Sequence, residues 1–175
     1  DPNRLFKKLQ HKGLEGGLLK VMGDWLKDRT AQVVVDGTYT DTAVLKDSVY
    51  LGTVWGPPLW NVHFEDARVP VNQAGFSDAF FADDLNGYKD YDGKSQNNVM
   101  WEDMADCQNA VHRWGAANKV QFDSGKESKH ILHKRKPEGD EFEMFGIVFD
   151  TKLEMVDEIQ SLINRCRWKL QTLLR

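Results

Sequence analysis

The sequence has few cysteines and no long apolar segment, and each shortage excludes a class of protein. Only two cysteines, Cys107 and Cys166, occur among the 175 residues. The two could pair, but nothing in their spacing indicates a disulfide framework, and neither lies in a zinc-type spacing. We expect two reduced, mostly buried thiols. No apolar segment approaches the ~18–20 residues that cross a bilayer, so the sequence predicts no transmembrane segment.

The sequence also lacks an excess of positive charge. It carries 23 Lys and Arg against 27 Asp and Glu, which gives a net charge of −4. Proteins that grip a nucleic-acid backbone do so with Lys and Arg, so the overall charge does not favour a general nucleic-acid binder. Hydrophobic residues make up 41% and charged residues 29%. This composition is typical of a globular domain with its own core.

The pattern of apolar residues predicts a mixed α+β order. Asp1 and Pro2 form a typical helix start, with Asp as N-cap and Pro in the first turn. Helical spacing of apolar residues predicts further helices, and short apolar runs beside turn residues predict strands. The predicted helices cover residues 2–12, 18–29, 57–64, 99–118 and 155–174. The predicted strands cover residues 32–35, 42–45, 79–82, 85–88, 120–122, 131–132 and 142–149, with a connection at 68–78.

Two adjacent carboxylates, Asp83 and Asp84, stand between two short apolar strands. Neighbouring carboxylates repel each other unless something neutralises them. A divalent cation does so well, and Mg²⁺ prefers carboxylate oxygens. The alternative is a plain aspartate-rich turn, since Asp is a common turn residue, and the pair alone favours that alternative.

The residues around this pair favour the cation-binding interpretation. Five segments in order resemble motifs of reverse transcriptases, in particular the polymerases of LINE-type (non-LTR) retrotransposons such as those of dinoflagellate genomes. The segments read LLKVMGDWLKDR (18–29), GTVWGPPLWN (52–61), FFADDL (80–85), WGAANKVQFDSGK (114–126) and FGIVFD (145–150). Each motif is weak alone, but the five together cover nearly the whole chain.

The resemblance implies one reverse-transcriptase-like domain over residues 1–175. Its expected fold is α+β, with an antiparallel palm-like sheet, packed helices, partial fingers and the start of a thumb. Residues 1–46 correspond to fingers and palm helices with a hairpin, residues 47–150 to the palm, and residues 151–175 to a thumb-like helix. The implied activity is RNA-directed DNA synthesis with Mg²⁺, and the implied partner is an RNA/DNA primer-template.

The resemblance also assigns roles to individual residues. Asp83 and Asp84 are expected to be the metal-binding, catalytic carboxylates. Lys126 falls where the family has a lysine that approaches the triphosphate, and it is expected to act as general acid. Gly52 and Thr53 correspond to the loop that faces template and nucleotide. Phe145 and Gly146 correspond to the primer grip.

The sequence departs from the family pattern in three places. The family's first catalytic aspartate lies on a strand before the first helix, and that strand is absent here, where Asp1 serves as an N-cap. Leu51 stands where the family has Gln, and Trp55 where it has Leu. The nucleotide-facing loop therefore lacks the hydrogen-bonding side-chain amide that the family's Gln supplies. With two of three metal carboxylates, we expect the chain to be inactive on its own.

Two alternatives remain open. The chain is either a retroelement enzyme or remnant, nuclear or cytoplasmic, or an accessory subunit co-opted into a larger complex such as an organellar one. In the second case its partners are other protein subunits, and the last helix is a candidate docking surface. A nucleic-acid binder without catalysis is a further alternative, because six tryptophans offer stacking faces.

Overall fold

The first two helices form as the sequence predicts. The structure is a computed structural model that describes residues 1–47, 49, 52–133, 135, 137–144 and 146–173. Helix α1 spans Pro2–His11, and the Asp1 carboxylate accepts a hydrogen bond from the Asn3 amide at 3.0 Å. Helix α2 spans Gly16–Leu26. Apolar side chains from both helices are buried together, because each helix carries one apolar face.

Helix α3 completes this core. It spans Gly56–Phe64 and is followed by a 3₁₀ turn at Glu65–Ala67 and helix α4 at Arg68–Gln73. Leu59 of α3 is 2% exposed and packs with the apolar faces of α1 and α2. The buried residues of this cluster are Leu5, Leu9, Met22, Leu26 and Leu59.

Helix α4 corrects the prediction of an irregular connection over residues 68–78. Pro70 and Asn72 made this segment look non-helical. Pro70 lies in the first turn of α4, where a proline removes no helical hydrogen bond. The helix also buries Val71, so packing against the core outweighs weak local propensity.

The strands form four separate antiparallel pairs rather than one palm-like sheet in the described part of the chain. This confirms an α+β fold at the coarse level. The pairs are β1 (Thr30–Ala31) with β4 (Ala43–Val44), β2 (Val34–Val35) with β3 (Thr38–Tyr39), β5 (Ser77–Phe81) with β6 (Asp84–Tyr88), and β7 (Phe142–Met144) with β8 (Ile147–Phe149).

Three of the predicted strands do not form as predicted. Residues 142–149 form the hairpin of β7 and β8, because Gly146 adopts a φ of +76° just before β8 and turns the chain. Residues 120–122 form no strand, and Phe122 instead packs its ring against aromatic neighbours. Ile131 makes only an isolated bridge with Glu138.

The chain forms two compact units. The first comprises Asp1–Lys89 and Gln108–Phe122, and the second comprises Asp90–Cys107 and Asp123–Arg175. Helix α5 spans Asn97–Asn118, and helix α6 spans Val156–Leu173. No described helix is both long enough and apolar enough to cross a membrane. The division into fingers, palm and thumb segments stays a prediction.

Neither Cys107 nor Cys166 forms a disulfide in the described part of the chain, and the two differ in burial. Cys107 on α5 is buried and Cys166 on α6 is exposed. The prediction of mostly buried thiols is therefore right for Cys107 and wrong for Cys166. The exposure of Cys166 is shared by the whole of α6, which has no buried residue among those that the structure describes.

Candidate functional site

Asp83 lies in the two-residue turn of the β5–β6 hairpin. Phe81 pairs with Asp84, which leaves Ala82 and Asp83 as the turn residues. Ala82 has a φ of +55°, whereas Asp83 does not have a positive φ. A positive φ at the first central residue alone is the pattern of a type II′ turn, which matches the twist of the flanking strands. The turn therefore presents Asp83 at the hairpin tip, and Asp84 opens the returning strand.

Both carboxylates are exposed. Across the described residues, neither has a hydrogen-bond or ion-pair partner. Two adjacent exposed carboxylates supply the hard oxygen ligands that Mg²⁺ prefers, so the chemistry of this pair fits a divalent cation. Within the described ranges, however, no group of three or more His, Cys, Asp or Glu side chains is arranged to hold a metal ion. The pair alone is an incomplete ligand set for two-metal chemistry.

A cluster of aromatic rings lies behind the hairpin and is centred on Phe64. Phe64, at the end of α3, is 2% exposed. Its ring meets Phe80 of β5 edge-on, with centroids 5.5 Å apart, and Trp114 of α5 at 5.7 Å. Phe122 joins the cluster at 6.4 Å from Phe64. Two of the motif-bearing segments, 80–85 and 114–126, thus meet around Phe64 in the first unit.

Gly115 allows one of these segments to close on the cluster. A Cβ at position 115 would lie 2.7 Å from the Val120 carbonyl oxygen and 2.8 Å from the Phe122 ring. The loop after α5 folds back against the helix at this point, and the Val120 amide donates to the Gly115 carbonyl at 2.9 Å. A side chain at this position would push Phe122 away from the cluster.

Helix α4 fixes the base of the hairpin through Asp78. The Asp78 carboxylate accepts a hydrogen bond from the side-chain amide of Asn72 at 2.8 Å and lies 3.4 Å from the Arg68 guanidinium. Arg68 also lies over the Phe80 ring, 5.4 Å from its centroid. The base of the hairpin is therefore held by charge and by ring packing, and the tip is left exposed.

Trp60 contacts the turn itself. Its indole N–H donates to the Ala82 carbonyl at 3.0 Å, and its ring stacks on Phe64 with centroids 5.0 Å apart. Sequence reasoning placed Trp60 in the 52–61 motif without a role. The four-residue spacing of Trp60 and Phe64, which puts both rings on one helix face, is the signal that was available.

The loop predicted to face a nucleotide leads into helix α3, and its predicted role stays a prediction. Gly52 adopts a φ of +78° and is exposed. The Thr53 hydroxyl accepts a hydrogen bond at 3.1 Å from the backbone amide of Gly56, the first residue of α3. Trp55 packs against the core of α1, α2 and α3, which explains a large ring at that position. Leu51 lies outside the described residues.

The remaining predicted site residues belong to the second unit. Lys126 is exposed in a turn, where its amide donates to the Asp123 carbonyl at 2.9 Å. Gly146 precedes β8, and Phe145 lies outside the described residues. The structure brings Asp83 and Asp84 together on one hairpin, and their predicted relation to Lys126 and Gly146 stays a prediction.

A positively charged groove lies between α1 and the segment from α3 to α4. Its volume is about 490 Å³. Four basic side chains and two carboxylates line it, which is a difference of +2 in an otherwise acidic chain. Lys8 donates to Asp66 at 2.7 Å and to the His63 carbonyl at 2.6 Å, and Lys12 pairs with Glu65. These pairs fasten α1 to the end of α3.

Burial and the neighbouring Lys8 charge lower the pKa of His63. Desolvation is the larger cause, because partial burial removes more hydration free energy from the charged imidazolium than from the neutral imidazole. Nearby, the hydrogen bond that the Lys12 ammonium donates to the Glu65 carboxylate lowers the pKa of the Glu65 carboxyl.

Comparisons with protein-family models, with curated proteins and with solved structures returned no match to this chain.

Proposed function

We propose that the chain is a reverse-transcriptase palm segment of the LINE type, and that Asp83 and Asp84 bind a divalent cation at the hairpin tip. The family function is RNA-directed DNA synthesis on a primer-template. The observation that carries the proposal is that three motif-bearing segments contact Phe64, through Trp60, through Phe80 and through Trp114 with Phe122. Phe80 lies on β5, the strand that leads to the turn with the exposed aspartates.

The exposure of the two carboxylates supports the cation part of this proposal. A buried pair would need positively charged or hydrogen-bonding partners within the protein, whereas an exposed pair is open to Mg²⁺ from the solvent. When bound, the cation supplies charge stabilisation for phosphoryl transfer. Asp83 and Asp84 would hold it from the turn and from the first residue of β6.

The proposal includes a limit on activity. Since the described residues contain no third side chain grouped with this pair, we propose that the chain does not extend a primer without a carboxylate from elsewhere. Lys126 remains the proposed general acid, and Gly52, Thr53, Phe145 and Gly146 remain the proposed contacts to nucleotide and primer.

The first experiment measures cation binding at the tip. Mn²⁺ added to the ¹⁵N-labelled protein is expected to broaden the amide signals of Asp83 and Asp84 first, because a paramagnetic ion relaxes the nearest nuclei. Asp83→Asn is expected to abolish this selective broadening. Asp36→Asn is the matched control, since Asp36 also lies in an exposed two-residue hairpin turn.

A primer-extension assay with Mg²⁺ or Mn²⁺ tests the limit on activity. No incorporation is expected from the isolated chain. Incorporation that disappears in Asp83→Asn would show that the chain is an active polymerase by itself. Broadening that is equal at Asp36 and Asp83 would remove the cation site from the proposal.

An accessory subunit in a larger complex is the second candidate, and one observation favours it. Helix α6 has no buried residue in the described part of the chain. Its exposed apolar residues are Val156, Ile159, Leu162, Ile163, Trp168, Leu170 and Leu173. By helical spacing, all of these residues except Trp168 lie on one face of α6, and an exposed apolar face is typical of an interaction site.

A further inference from the structure

The turn that presents Asp83 holds a residue in an unfavourable backbone region. Ala82 adopts a φ of +55°, where the Cβ of an L-residue is crowded by its own backbone. Type II′ turns place Gly at this position for that reason. The sequence supplies alanine, so something outside the turn must favour this conformation.

The Trp60 indole is the group that contacts this residue. Its N–H lies 3.0 Å from the Ala82 carbonyl oxygen. The donor is itself held in place, since the Trp60 ring stacks on Phe64 at an interplanar angle of 20°. Phe64 in turn contacts Phe80 on the strand that leads to the turn. Helix α3 therefore contacts the hairpin twice, once along β5 and once at the tip.

We infer that Trp60 is a positioning residue for Asp83. Its hydrogen bond to the Ala82 carbonyl holds the turn in the conformation that presents the Asp83 carboxylate beside Asp84. This inference rests on the proposed cation site. No other apolar side chain can replace Trp in this role, because a phenyl or aliphatic group at position 60 has no N–H to donate.

Trp60→Phe tests the inference because it keeps an aromatic ring at the position and removes the donor, and the Ala82→Gly background described below separates the loss of the donor from the loss of ring area. The full chain is titrated with Mn²⁺, and the broadening of the Asp83 and Asp84 amides is followed by NMR. We expect the concentration for half-broadening to rise about 2- to 10-fold, the range of one hydrogen bond to a neutral acceptor. Trp168→Phe, an exposed tryptophan on α6, is the matched control and is expected to leave it unchanged.

A second readout needs no metal. The one-bond Cα–Hα coupling constant of Ala82 distinguishes positive from negative φ, so the turn conformation is measured in the metal-free protein. In Trp60→Phe this coupling is expected to move towards the value of a residue that samples negative φ. Unchanged dispersion of the other amide signals shows that the unit remains folded.

Ala82→Gly provides the rescue. Glycine adopts positive φ without the Cβ penalty, so the turn no longer needs the Trp60 hydrogen bond to the same extent. The fold-change caused by Trp60→Phe is expected to be smaller in the Ala82→Gly background. An equal fold-change in both backgrounds would mean that Trp60 acts through packing alone, and the inference would be overturned.

The role of the Trp60 hydrogen bond and the cation site are overturned by different results. An unchanged Ala82 coupling constant in Trp60→Phe overturns the role of the hydrogen bond. A lack of selective broadening in the unmodified protein overturns the proposed cation site, and with it the purpose of the positioning, whatever the coupling constant shows.

Discussion

Asp83 and Asp84 lie at the tip of one hairpin, and helix α3 contacts that tip through Trp60. The position of the pair at a turn follows from the short apolar stretches on each side, and the structure places Asp83 in that turn. The Trp60 contact joins residues 22 positions apart in the sequence, a separation that local patterns do not detect. Thr53 accepts a hydrogen bond from the first amide of α3, and its assignment to a nucleotide-facing loop stays a prediction.

His63 makes one prediction at the scale of a single residue. Its pKa is lowered mainly by burial, so the folded state favours the neutral imidazole. Above the unfolded-state pKa of about 6.5, His63 is neutral in both states and costs no stability. As the pH falls below that value, the unfolded state binds the proton more readily than the folded state, so the protein loses stability. The free energy of unfolding is therefore expected to decrease between about pH 7.5 and about pH 5.

Urea unfolding at several pH values measures this decrease. In His63→Gln the slope is expected to be smaller, because the titrating group is gone. His130 in the second unit has a pKa lowered by the same cause and maintains part of the slope. His11→Gln, at an exposed position on α1, is the matched control, and an equal loss of slope in both variants would contradict the assignment to His63.

At the scale of elements, sequence patterns predicted five of the six α-helices in the described part of the chain and missed the shortest, α4. Helices α1, α2, α3, α5 and α6 each carry enough periodic apolar residues to be visible. Helix α4 has six residues, one of them a proline, and it forms because Val71 is buried and Asn72 and Arg68 hold the hairpin. A helix of this length depends on tertiary packing rather than on propensity.

The junction between α5 and the loop after it makes a second prediction. Gly115→Ala is expected to destabilise the first unit by about 1–3 kcal/mol, because the new methyl group overlaps the Val120 carbonyl and the Phe122 ring. Gly17→Ala is the matched control, since no atom outside its own helix lies within 4 Å of a Cβ there.

Urea denaturation followed by tryptophan fluorescence compares the two alanine variants. Alanine is the better helix former by up to about 1 kcal/mol, so Gly17→Ala is expected to be neutral or stabilising. A midpoint for Gly115→Ala at or above that of the unmodified protein would show that the loop after α5 can move aside without cost.

At the scale of the whole molecule, the exposed stripe of α6 decides between the two candidate functions. Ile163 and Leu170 are 40% and 58% exposed, so replacing both by Gln is expected to change the free energy of unfolding by less than about 1 kcal/mol. If α6 docks on other subunits, the same replacement is expected to release the chain from a complex in native extract as a 20.1 kDa species.

Size-exclusion chromatography of the extract gives the measurement. Ser161→Gln with Thr172→Gln, two positions beside the stripe on the same helix, is the matched control and is expected to remain in the complex. An unmodified chain that already elutes at 20.1 kDa would argue against the accessory-subunit candidate.

The division of the chain into two units is a property that the sequence motifs did not reveal. Helix α5 reads as one continuous apolar stripe, yet its residues belong to both units, which divide at Cys107 and Gln108. Periodicity reports that a helix has a buried face. It does not report which other segments cover that face, because those contacts come from distant parts of the chain.

The contrast between the exposed aspartates and the buried ring of Phe64 has an evolutionary consequence. Replacing Asp83 or Asp84 would cost the fold little, whereas replacing Phe64 or Gly115 would disrupt packing. In a lineage that no longer needs the chemistry, random substitution is therefore expected to erase the aspartates first and leave the aromatic cluster intact. The relative rates of change at these two sets of positions among descendant copies would reveal whether selection acts on catalysis or on shape alone.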